Sequence, residues 1–591
     1  MAQGVFCWQG YLYIVHDGGR GRLGLTHRPP LDRRFWELKG YHFMDLVSPC
    51  LNLGMAFFVL KHLEERWAAV GYSLSRVDAV LKEVSRRCKV TLARRPAPAG
   101  QLLPPEEEAR LAGRILSGRI LLLEEVGRAL AENGVRVTAE LADLLHYLYL
   151  QGECELRPAV GFDAQGVPKC NRCGQGDKLY RSSCGACGST HCYVCEGCLE
   201  LGEARTCRAL YARPGAERAG MFPCRTVSPV LPFSLTRAQE DAALQARTFV
   251  EEGKYPRCLI WAACGAGKTE VAYGALAAAL SRGKEVLYTC PRRETTKEIY
   301  RRLQQAFPGV EMTILHGESG SKYAPAQLVA ATTHQVLRCY RRFDLIILDE
   351  VDAFPLAGDG RLYYGLERSL RPGGQILYMT ATPPPELAAQ ARRRRLPVIY
   401  LPARPHGYPL PEPQIILARG LRRPMGRLPR PVVECLRLSL NGDGASLLIF
   451  VPAVDLVAQV VDWLLECREF EGLGDWVRGC HAALPERETV LAAFRRGEFP
   501  VMVTTTLLER GITLPRLNVM VLFAHHRRIF DQNTLVQIAG RAGRTSSFPQ
   551  GKVWLVADRI TPEMAEACRI IRSFNRLAFQ RGYLRAVERR Q

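Results

Sequence analysis

One segment limits the folds open to this chain more than any other: CLIWAACGAGKTE, which begins at Cys258. An apolar run leads into a glycine-bearing turn, and small residues at helical spacing follow over residues 271–280. This order predicts a buried strand, a tight turn and a helix. Backbone N–H groups of such a turn, together with the N-terminus of the helix, bind phosphate groups. The segment therefore predicts a nucleotide-binding α/β domain.

Each residue of this loop has an expected part in binding ATP and Mg²⁺. Lys268 is expected to reach the β- and γ-phosphates, and the Thr269 hydroxyl to bind Mg²⁺. A general phosphate-binding loop has glycine six residues before the lysine, where this chain has Ala262; the resulting AxxGxGKT form resembles that of helicases. In motors that this core resembles, a glutamine at the position of Gln239, in the upstream segment LTRAQEDA, contacts adenine, so the resemblance makes Gln239 a candidate for that contact. The nucleotide-contacting loop residues are predicted to be Ala263, Cys264, Gly265, Ala266, Gly267, Lys268 and Thr269.

A second motif, FDLIILDEVDAFP, supplies two adjacent acids. An apolar strand over residues 345–348 ends in Asp349 and Glu350, and α/β sheets bind ligands at the carboxyl ends of their strands. Asp349 is predicted to coordinate Mg²⁺, and Glu350 to position or activate the attacking water. Taken alone, the motif also fits a solvated acidic turn after a core strand. The phosphate-binding loop in the same predicted sheet favours the catalytic interpretation.

Three further motifs extend the candidate ATP site. YMTATPPP carries Thr380, Ala381 and Thr382 and resembles a segment that couples two lobes, and TTTLLERGITLP is centred on Glu509, Arg510 and Gly511. QIAGRAGR carries Gln537, Arg541 and Arg544 at positions i, i+4 and i+7, which predicts one helix with all three on one face. Both arginines are predicted to stabilise charge on the γ-phosphate, and Gly511 to contact the nucleotide.

Eight cysteines lie close together, and six of them form three Cys-x2-Cys pairs. Paired thiolates at this spacing are typical of tetrahedral Zn²⁺ sites, and a reducing compartment disfavours a disulfide framework. Two sites with four thiolates each, or one site with spare cysteines, satisfy the spacing; an iron–sulfur centre is the chemical rival. The candidate metal ligands are Cys170, Cys173, Cys184, Cys187, Cys192, Cys195, Cys198 and Cys207.

The charge balance fits a polyanionic partner. Lysine and arginine total 80 against 59 acidic residues, a net charge of +21, which suits nucleic acid or an anionic membrane surface; an arginine-rich composition without such a partner is the alternative. No membrane span or secretory signal is predicted, so we expect a cytoplasmic location. In two-lobed motors that this chain resembles, a nucleic-acid strand crosses both lobes and is contacted mainly at its phosphates, as donors at strand ends allow. The candidate contacts that this resemblance implies are Pro291, Arg292, Arg293, His316, Gly317, Thr332, Thr333, His334, His481 and residues 450–452 and 504–506.

Short apolar runs alternate with helical patterns from residue 235 onward, which predicts parallel α/β sheets. The predicted strands include residues 257–261, 285–289, 345–348, 375–379 and 447–451. We expect two tandem RecA-like parallel-sheet lobes over residues 226–405, which bind ATP, and 406–591. A zinc-binding module over 165–225 and an N-terminal accessory domain over 1–164 precede them. Within the accessory domain, the pattern predicts a strand at 11–15, helices over 106–133 and 138–150, and a loop at 93–105.

The order of these parts resembles the late-competence DNA-uptake ATPase family, ComFA, within superfamily 2. The resemblance rests on a cysteine module placed before LDEVDAFP, MTATPP and QIAGRAGR, and it covers the chain from about residue 170 onward. It implies a cytosolic, single-strand-DNA-stimulated ATPase at the inner face of the membrane, using ATP, Mg²⁺ and one or two Zn²⁺. Other competence proteins, including the membrane DNA channel, are the implied partners in pulling transforming DNA inward. The cysteines that match the family pattern are Cys170, Cys173, Cys195 and Cys198.

Three other functions fit parts of the sequence. A replication-restart DNA helicase also carries zinc, but its cysteines lie within the motor region, whereas here they precede it. An RNA helicase is disfavoured by DEVD in place of DEAD and by the cysteine block. A DNA-binding assembly protein with a vestigial ATPase is disfavoured because Lys268, Asp349, Glu350 and both candidate arginines are present. The nucleic acid that stimulates ATP hydrolysis distinguishes among these functions.

Overall fold

The computed structural model describes residues 7–18, 20–215, 222–317, 319–320, 322–418, 421, 428–467, 470, 475–505 and 514–585. Contacts divide the chain into two compact units. The first unit comprises Met1–Val230, Ala277–Asp349 and Ala353–Ile376, and the second comprises Leu231–Leu276, Glu350–Asp352 and Leu377–Gln591. Within the described ranges, no helix combines the length and the apolar character needed to cross a bilayer.

The strands are β1 (Gln9–His16), β2 (Gly21–Thr26), β3 (Phe43–Leu46), β4 (Leu51–Asn52), β5 (Arg95–Pro96), β6 (Arg119–Leu122), β7 (Glu155–Pro158), β8 (Val160–Phe162), β9 (Pro168–Cys170), β10 (Leu179–Ser182), β11 (Cys192–Cys195), β12 (Ala204–Arg205), β13 (Ala209–Arg213), β14 (Arg257–Ala262), β15 (Val286–Cys290), β16 (Met312–Leu315), β17 (Leu328–Thr332), β18 (Phe343–Asp349), β19 (Leu370–Thr380), β20 (Val398–Leu401), β21 (Gln414–Leu417), β22 (Ser446–Phe450), β23 (Val477–Cys480), β24 (Val501–Thr504), β25 (Leu517–Leu522) and β26 (Val553–Ala557).

The α-helices are α1 (Pro29–Leu38), α2 (Leu53–Val70), α3 (Val77–Cys88), α4 (Glu106–Leu116), α5 (Leu123–Glu132), α6 (Leu141–Leu150), α7 (Arg237–Glu252), α8 (Lys268–Ser281), α9 (Arg293–Ala306), α10 (Gly360–Ser369), α11 (Pro385–Arg392), α12 (Arg430–Arg437), α13 (Asp455–Leu465), α14 (Arg487–Arg496), α15 (Gln532–Ala539) and α16 (Pro562–Gln580). Short 3-10 turns cover Leu74–Arg76, Glu196–Leu201 and Thr333–Arg338, and a π turn covers Leu438–Gly442.

The N-terminal part of the first unit is an antiparallel sheet in the order β2-β1-β3-β5, with β4 also paired to β1. The predicted strand at residues 11–15 is confirmed within β1. The predicted helix over 106–133 is wrong in its middle, where β6 pairs antiparallel with β13. Gly118 has a φ of +72°, a conformation that ends the helical path, and all four residues of β6 are buried. The predicted loop at 93–105 contains the two-residue strand β5.

The cysteine-rich part of the first unit is built on small antiparallel sheets, β10-β11-β12 and β8-β9. The first unit also contains strands of a parallel sheet in the order β16-β17-β15-β18-β19. Only the first residues of β19, up to Ile376, belong to this unit. All seven residues of β18 are buried, as expected for a parallel strand covered on both faces. The first unit therefore combines the N-terminal sheet, the cysteine module and one side of a parallel sheet.

The second unit contains the end of β19 with β14 and β20, in the order β19-β14-β20. It also contains a six-stranded sheet in the order β21-β26-β25-β22-β24-β23, whose neighbouring strands all pair in parallel. Each strand predicted from residue 257 onward lies inside an observed strand or extends at most one residue beyond its end. The two parallel sheets confirm the predicted tandem RecA-like architecture.

Candidate ATP site and cysteine clusters

The loop at residues 263–267 connects the end of β14 to α8, which begins at Lys268. Gly265 and Gly267 have φ values of +78° and +87°, a region that glycine enters without steric cost. A Cβ at position 267 would lie 2.3 Å from Gln239 Nε2. The predicted order of strand, turn and helix is confirmed, and it places the first N–H groups of α8 at the loop.

Gln239 braces this loop from α7. Its Nε2 donates a hydrogen bond to Ala266 O at 3.0 Å, while its Oε1 accepts bonds from Thr236 N at 3.0 Å and Thr236 Oγ1 at 3.1 Å. These contacts form a capping box at the start of α7. The Thr-x-x-Gln spacing is a sequence signal for that cap, which the prediction of an adenine contact did not use. Binding of adenine by Gln239 stays a prediction.

The two acids of the DEVD segment follow the buried strand β18. Asp349 is the last residue of that strand, is 5% exposed, and accepts a hydrogen bond from Tyr288 Oη at 3.1 Å. Glu350 has a φ of +52°, a left-handed conformation that is uncommon for a residue with a side chain. Such conformations cluster at functional sites, where the surrounding structure holds them. The carboxyl-end placement of Asp349 agrees with its predicted position.

The last acid of the segment, Asp352, holds a polar network in the second unit. Its carboxylate accepts hydrogen bonds from Thr380 Oγ1 and, at 2.7 Å, from Thr382 Oγ1. Gln537 Nε2 donates to Thr382 Oγ1 at 3.0 Å and approaches Asp352 Oδ2 at 3.4 Å. One carboxylate therefore joins three motifs that the sequence separates: DEVD, TAT and QIAGRAGR.

Replacing Thr382 with valine is expected to weaken the coupling between the DEVD, TAT and QIAGRAGR motifs. The change keeps the side-chain shape but removes the hydroxyl that bonds both Asp352 and Gln537. Loss of these buried hydrogen bonds costs about 1–3 kcal/mol, so we expect nucleic-acid-stimulated ATP turnover to fall about tenfold while ATP binding is retained. Steady-state phosphate release and nucleotide titration measure the two effects. Thr489→Val, on the exposed face of α14, is the control; equal rates in the two variants would contradict the coupling.

Cys264 is the point where the loop meets the QIAGRAGR segment. Its Sγ lies 3.4 Å from Gln537 Oε1 and 3.8 Å from Val536 O. A Cβ at Gly540 would lie 2.3 Å from Cys264 Cβ, so the close approach requires glycine there. Both ends of this contact belong to the second unit.

Arg404, like Asp352, is a residue of this site that sequence reasoning missed. Its guanidinium donates to Cys264 O at 2.9 Å, Ala542 O at 2.7 Å, Gly540 O at 3.0 Å and Gly543 O at 2.5 Å. The side chain is 2% exposed. Burial, with Arg544 nearby, lowers the pKa of Arg404 to about 10, which leaves it charged at neutral pH. Arg404 lies in a proline-rich stretch whose pattern gave no sign of this role.

The prediction that Gln537, Arg541 and Arg544 share one helix is wrong. Helix α15 ends at Ala539, and Gly543 has a φ of +62°. The carbonyls that would continue the helix accept hydrogen bonds from Arg404 instead. Arg541 is 3% exposed, and Arg544 Nε donates to Gly540 O at 2.9 Å. Burial lowers the pKa of Arg544. The role of both arginines at the γ-phosphate stays a prediction. Both residues follow the end of α15 instead of lying on it.

Several predicted residues lie outside the described ranges. These are Glu509, Arg510, Gly511 and Thr506. Their predicted parts in nucleotide or nucleic-acid binding stay predictions.

The candidate nucleic-acid contacts lie at the carboxyl ends of parallel strands in each unit. In the first unit, Arg292 follows β15, His316 follows β16, and Thr332 ends β17, while Thr333 is fully buried. In the second unit, His481 follows β23 and Thr504 ends β24. Carboxyl ends of parallel strands lie at one edge of a sheet, which is where α/β proteins bind ligands.

The eight cysteines of the module form two groups of four, and within each group the Sγ atoms all lie within 4.8 Å of one another. The first group is Cys170, Cys173, Cys195 and Cys198; the second is Cys184, Cys187, Cys192 and Cys207. Between the two arrangements left open by the spacing, the structure favours two sites with four thiols each.

The sulfur geometry fits a tetrahedral metal ion. Zn–S bonds of about 2.3 Å give Sγ–Sγ edges of about 3.8 Å. In the first group, Cys170 and Cys198 lie 3.8 Å apart and Cys173 and Cys195 lie 3.6 Å apart. In the second group, Cys207 lies 3.9 Å from Cys184 and 3.7 Å from Cys192. Each group can therefore hold one metal ion.

Buried ion pairs adjoin the first cysteine group. Arg172, which lies between two of its cysteines, donates to Glu125 at 2.8 Å, and Arg338 donates to the same carboxylate at 2.8 Å. Burial acts to raise the pKa of Glu125, but the two arginines outweigh it, and the pKa is lowered. Arg368 Nη1 donates to Asn171 O at 3.1 Å, which links this group to α10.

Two helicase family models match this chain. Residues 236–390 match the DEAD/DEAH box helicase model, and residues 430–546 match the helicase conserved C-terminal domain. This pair defines an ATP-dependent helicase or ATPase of superfamily 2, a class that uses ATP and Mg²⁺. A solved structure of RecG bound to a three-way DNA junction is similar to this chain. The alignment covers 61% of this chain and 48% of the RecG chain, with a TM-score of 0.41 and 22% sequence identity.

The N-terminal region indicates which family within superfamily 2 this chain resembles. Residues 108–212 match the competence protein ComFA N-terminal domain. Competence protein ComFA of Bacillus subtilis is 32% identical, with 69% of this chain and 86% of that protein aligned. Competence protein ComFA of Streptococcus pneumoniae is 33% identical, covering 65% of this chain and 86% of the relative. The chain belongs to the ComFA family, and it is a competence-related superfamily 2 ATPase.

Proposed function

We propose that this chain is an ATP-dependent single-strand-DNA translocase that drives the import of transforming DNA during natural competence. The observation that carries the proposal is the union of a ComFA-type N-terminal region with both helicase domains in one chain. The network around Asp352 supports the ATP-dependent part of the proposal, because it joins the DEVD segment to Gln537 of the QIAGRAGR segment.

ATP is held by the loop and the acids in this proposal. Lys268 contacts the β- and γ-phosphates, and the remaining loop residues 263–267 supply backbone N–H groups. Thr269 and Asp349 hold Mg²⁺, whose oxygen-ligand preference both side chains meet. Bound Mg²⁺ supplies positive charge that offsets the phosphate charge. Glu350 orients the attacking water.

The remaining nucleotide contacts come from the motif residues further along the chain. Arg541 and Arg544 stabilise the charge that develops on the γ-phosphate. A γ-phosphate beside Arg544 would offset the burial that lowers the pKa of this arginine. Gln239 contacts adenine, and Gly511 completes the nucleotide site.

The nucleic-acid substrate is single-stranded DNA, held mainly through its phosphates. The strand-end hydroxyls, backbone groups and basic residues suit phosphate contacts, which position a strand without reading its sequence. The net charge of +21 adds electrostatic capture. The protein works in the cytoplasm at the inner face of the membrane, together with other competence proteins that include the membrane DNA channel.

We further propose that the two cysteine groups bind one Zn²⁺ each. The Sγ–Sγ distances support this choice, because they match the edges of a zinc–thiolate tetrahedron. The four functional regions are an accessory domain at 1–164, the zinc module at 165–225, an ATP-binding lobe at 226–405 and a second lobe at 406–591. Zinc stabilises the module, which has little apolar core of its own.

ATP hydrolysis measured with different nucleic acids tests the proposed substrate. We expect single-stranded DNA to raise turnover at least about tenfold, equivalent to about 1.4 kcal/mol of barrier, and duplex DNA or RNA of equal length to raise it less. Mixed-sequence and homopolymer single strands should stimulate alike, because phosphate contacts dominate. Stimulation by RNA alone would indicate an RNA helicase, and stimulation by branched duplex alone would indicate a replication-restart enzyme; each overturns the proposal.

A further inference from the structure

The second cysteine group has a fifth thiol beside it, and we propose that this thiol, Cys7, is an exchangeable ligand of the second metal site. In the exchange, Cys7 takes the place of Cys207, and the metal ion fastens the N-terminal strand to the cysteine module. The inference rests on the proposed zinc assignment, but it does not depend on DNA translocation.

The thiol of Cys7 lies against that of Cys207. Cys7 Sγ lies 3.3 Å from Cys207 Sγ, whereas Cys207 Sγ lies 3.7 Å from Cys192 Sγ and 3.9 Å from Cys184 Sγ. The 3.3 Å separation is shorter than the about 3.8 Å edge of a zinc–thiolate tetrahedron. Cys7 is not among the four cysteines whose Sγ atoms all lie within 4.8 Å of one another, so it lies outside that group and against the corner formed by Cys207. A small displacement of Cys207 would admit Cys7 to that corner.

The adjoining residues hold Cys7 in this position. Trp8 N donates a hydrogen bond to Cys207 O at 2.7 Å, and Gln9 Nε2 donates to Cys187 O at 2.9 Å. Trp8 is fully buried, so the strand that follows Cys7 is fixed by packing as well as by hydrogen bonds. Ligands that are already ordered lose little conformational freedom on binding. Cys7 is thus prepared for metal binding even though it is remote from the module in sequence.

The exchange is chemically balanced without an oxidant. The bond between the metal and the Cys207 thiolate breaks as the bond to Cys7 forms, and the proton of the Cys7 thiol passes to Cys207. The metal keeps four thiolates and its charge does not change. A fifth thiol at a closed tetrahedral site therefore offers an alternative ligand, rather than an open catalytic position.

The two metal sites would fasten the module to different neighbours. The second site faces the N-terminal strand through Cys7, Trp8 and Gln9. Backbone near the first site accepts hydrogen bonds from α10: Arg361 Nη1 donates to Gly197 O at 3.0 Å, and Arg368 Nη1 donates to Asn171 O. Loss of the second metal ion should therefore loosen the N-terminal strand while leaving the contacts to α10 in place.

Metal content of the full-length protein after challenge with a chelator tests the exchange. We expect two zinc ions per chain in the unsubstituted protein and in Cys207→Ser, where Cys7 replaces the missing ligand, but one ion in the double variant Cys7→Ser/Cys207→Ser. Cys50→Ser, at an exposed cysteine, is the control and should retain two. Loss of one ion from Cys207→Ser with Cys7 intact would overturn the inference.

A second measurement covers the case in which Cys207→Ser does not fold. Cys7→Ser alone keeps all four cysteines of the group, and we expect its second metal ion to bind about tenfold more weakly, the lower end of the range for removal of a supporting group. Limited proteolysis after metal release should then cut the N-terminal strand first. Equal affinities in Cys7→Ser and Cys50→Ser would refute a ligand role for Cys7. Absence of zinc from the unsubstituted protein would instead refute the zinc assignment itself.

Discussion

Replacing Lys268 with alanine is expected to lower ATP turnover by about 100-fold or more. Lys268 begins α8 directly after the loop, where an ammonium group can reach the β- and γ-phosphates and offset charge that develops during transfer. Removing one preorganised charge donor of this kind costs about 10²–10³ in rate. Phosphate release under saturating single-stranded DNA measures the loss.

The controls for Lys268→Ala separate chemistry from folding. Binding of single-stranded DNA and retention of metal should be unchanged, because the cysteine groups and the strand-end residues do not involve Lys268. Lys254→Ala removes an exposed lysine just after α7 and should leave turnover intact. Turnover that persists in Lys268→Ala would contradict the assignment of the ATP site.

Replacing Arg404 with methionine is expected to destabilise the second unit and to lower turnover together. Arg404 donates to four carbonyl oxygens, and methionine would leave buried acceptors without these bonds. An unsatisfied buried acceptor costs about 1–3 kcal/mol, so we expect the free energy of unfolding to fall by at least about 3 kcal/mol. Turnover should fall because the same carbonyls shape the turn that carries Arg541 and Arg544.

Thermal unfolding and steady-state hydrolysis measure the two effects of Arg404→Met. Arg404→Lys should recover little, because an ammonium group lacks the planar fork that reaches several acceptors at once. Arg393→Met, at an exposed position after α11, is the matched control. An unfolding midpoint and a turnover number equal to those of the control would show that Arg404 does not organise the site.

Local pattern was sufficient to predict the parts of the fold in which neighbouring residues determine structure. The apolar runs of β14 and β18 end in a phosphate loop and in acids, and each lies where the sequence predicts. Parallel strands are buried on both faces, so their sequences are continuous apolar runs that are readily recognised. The cysteine pairs were likewise identified because both partners of each pair are close in sequence.

The errors and omissions come from long-range contacts. The helical spacing at Arg541 and Arg544 is correct as a pattern, but Arg404 binds the carbonyls that a continued helix would use. β6 interrupts a helical pattern because β13, far along the chain, supplies its hydrogen-bond partner. Cys7 joins the second cysteine group only through the folded N-terminal strand. None of these partners is visible in a short window of sequence.

Displacement of streptavidin from biotinylated single-stranded DNA tests the central claim most directly, because it requires ATP-driven movement rather than ATP hydrolysis alone. We predict that the protein with ATP removes streptavidin from one end of the strand and not from the other, and that Lys268→Ala removes it from neither. Failure to displace streptavidin from either end, under conditions in which single-stranded DNA stimulates hydrolysis, would contradict translocation.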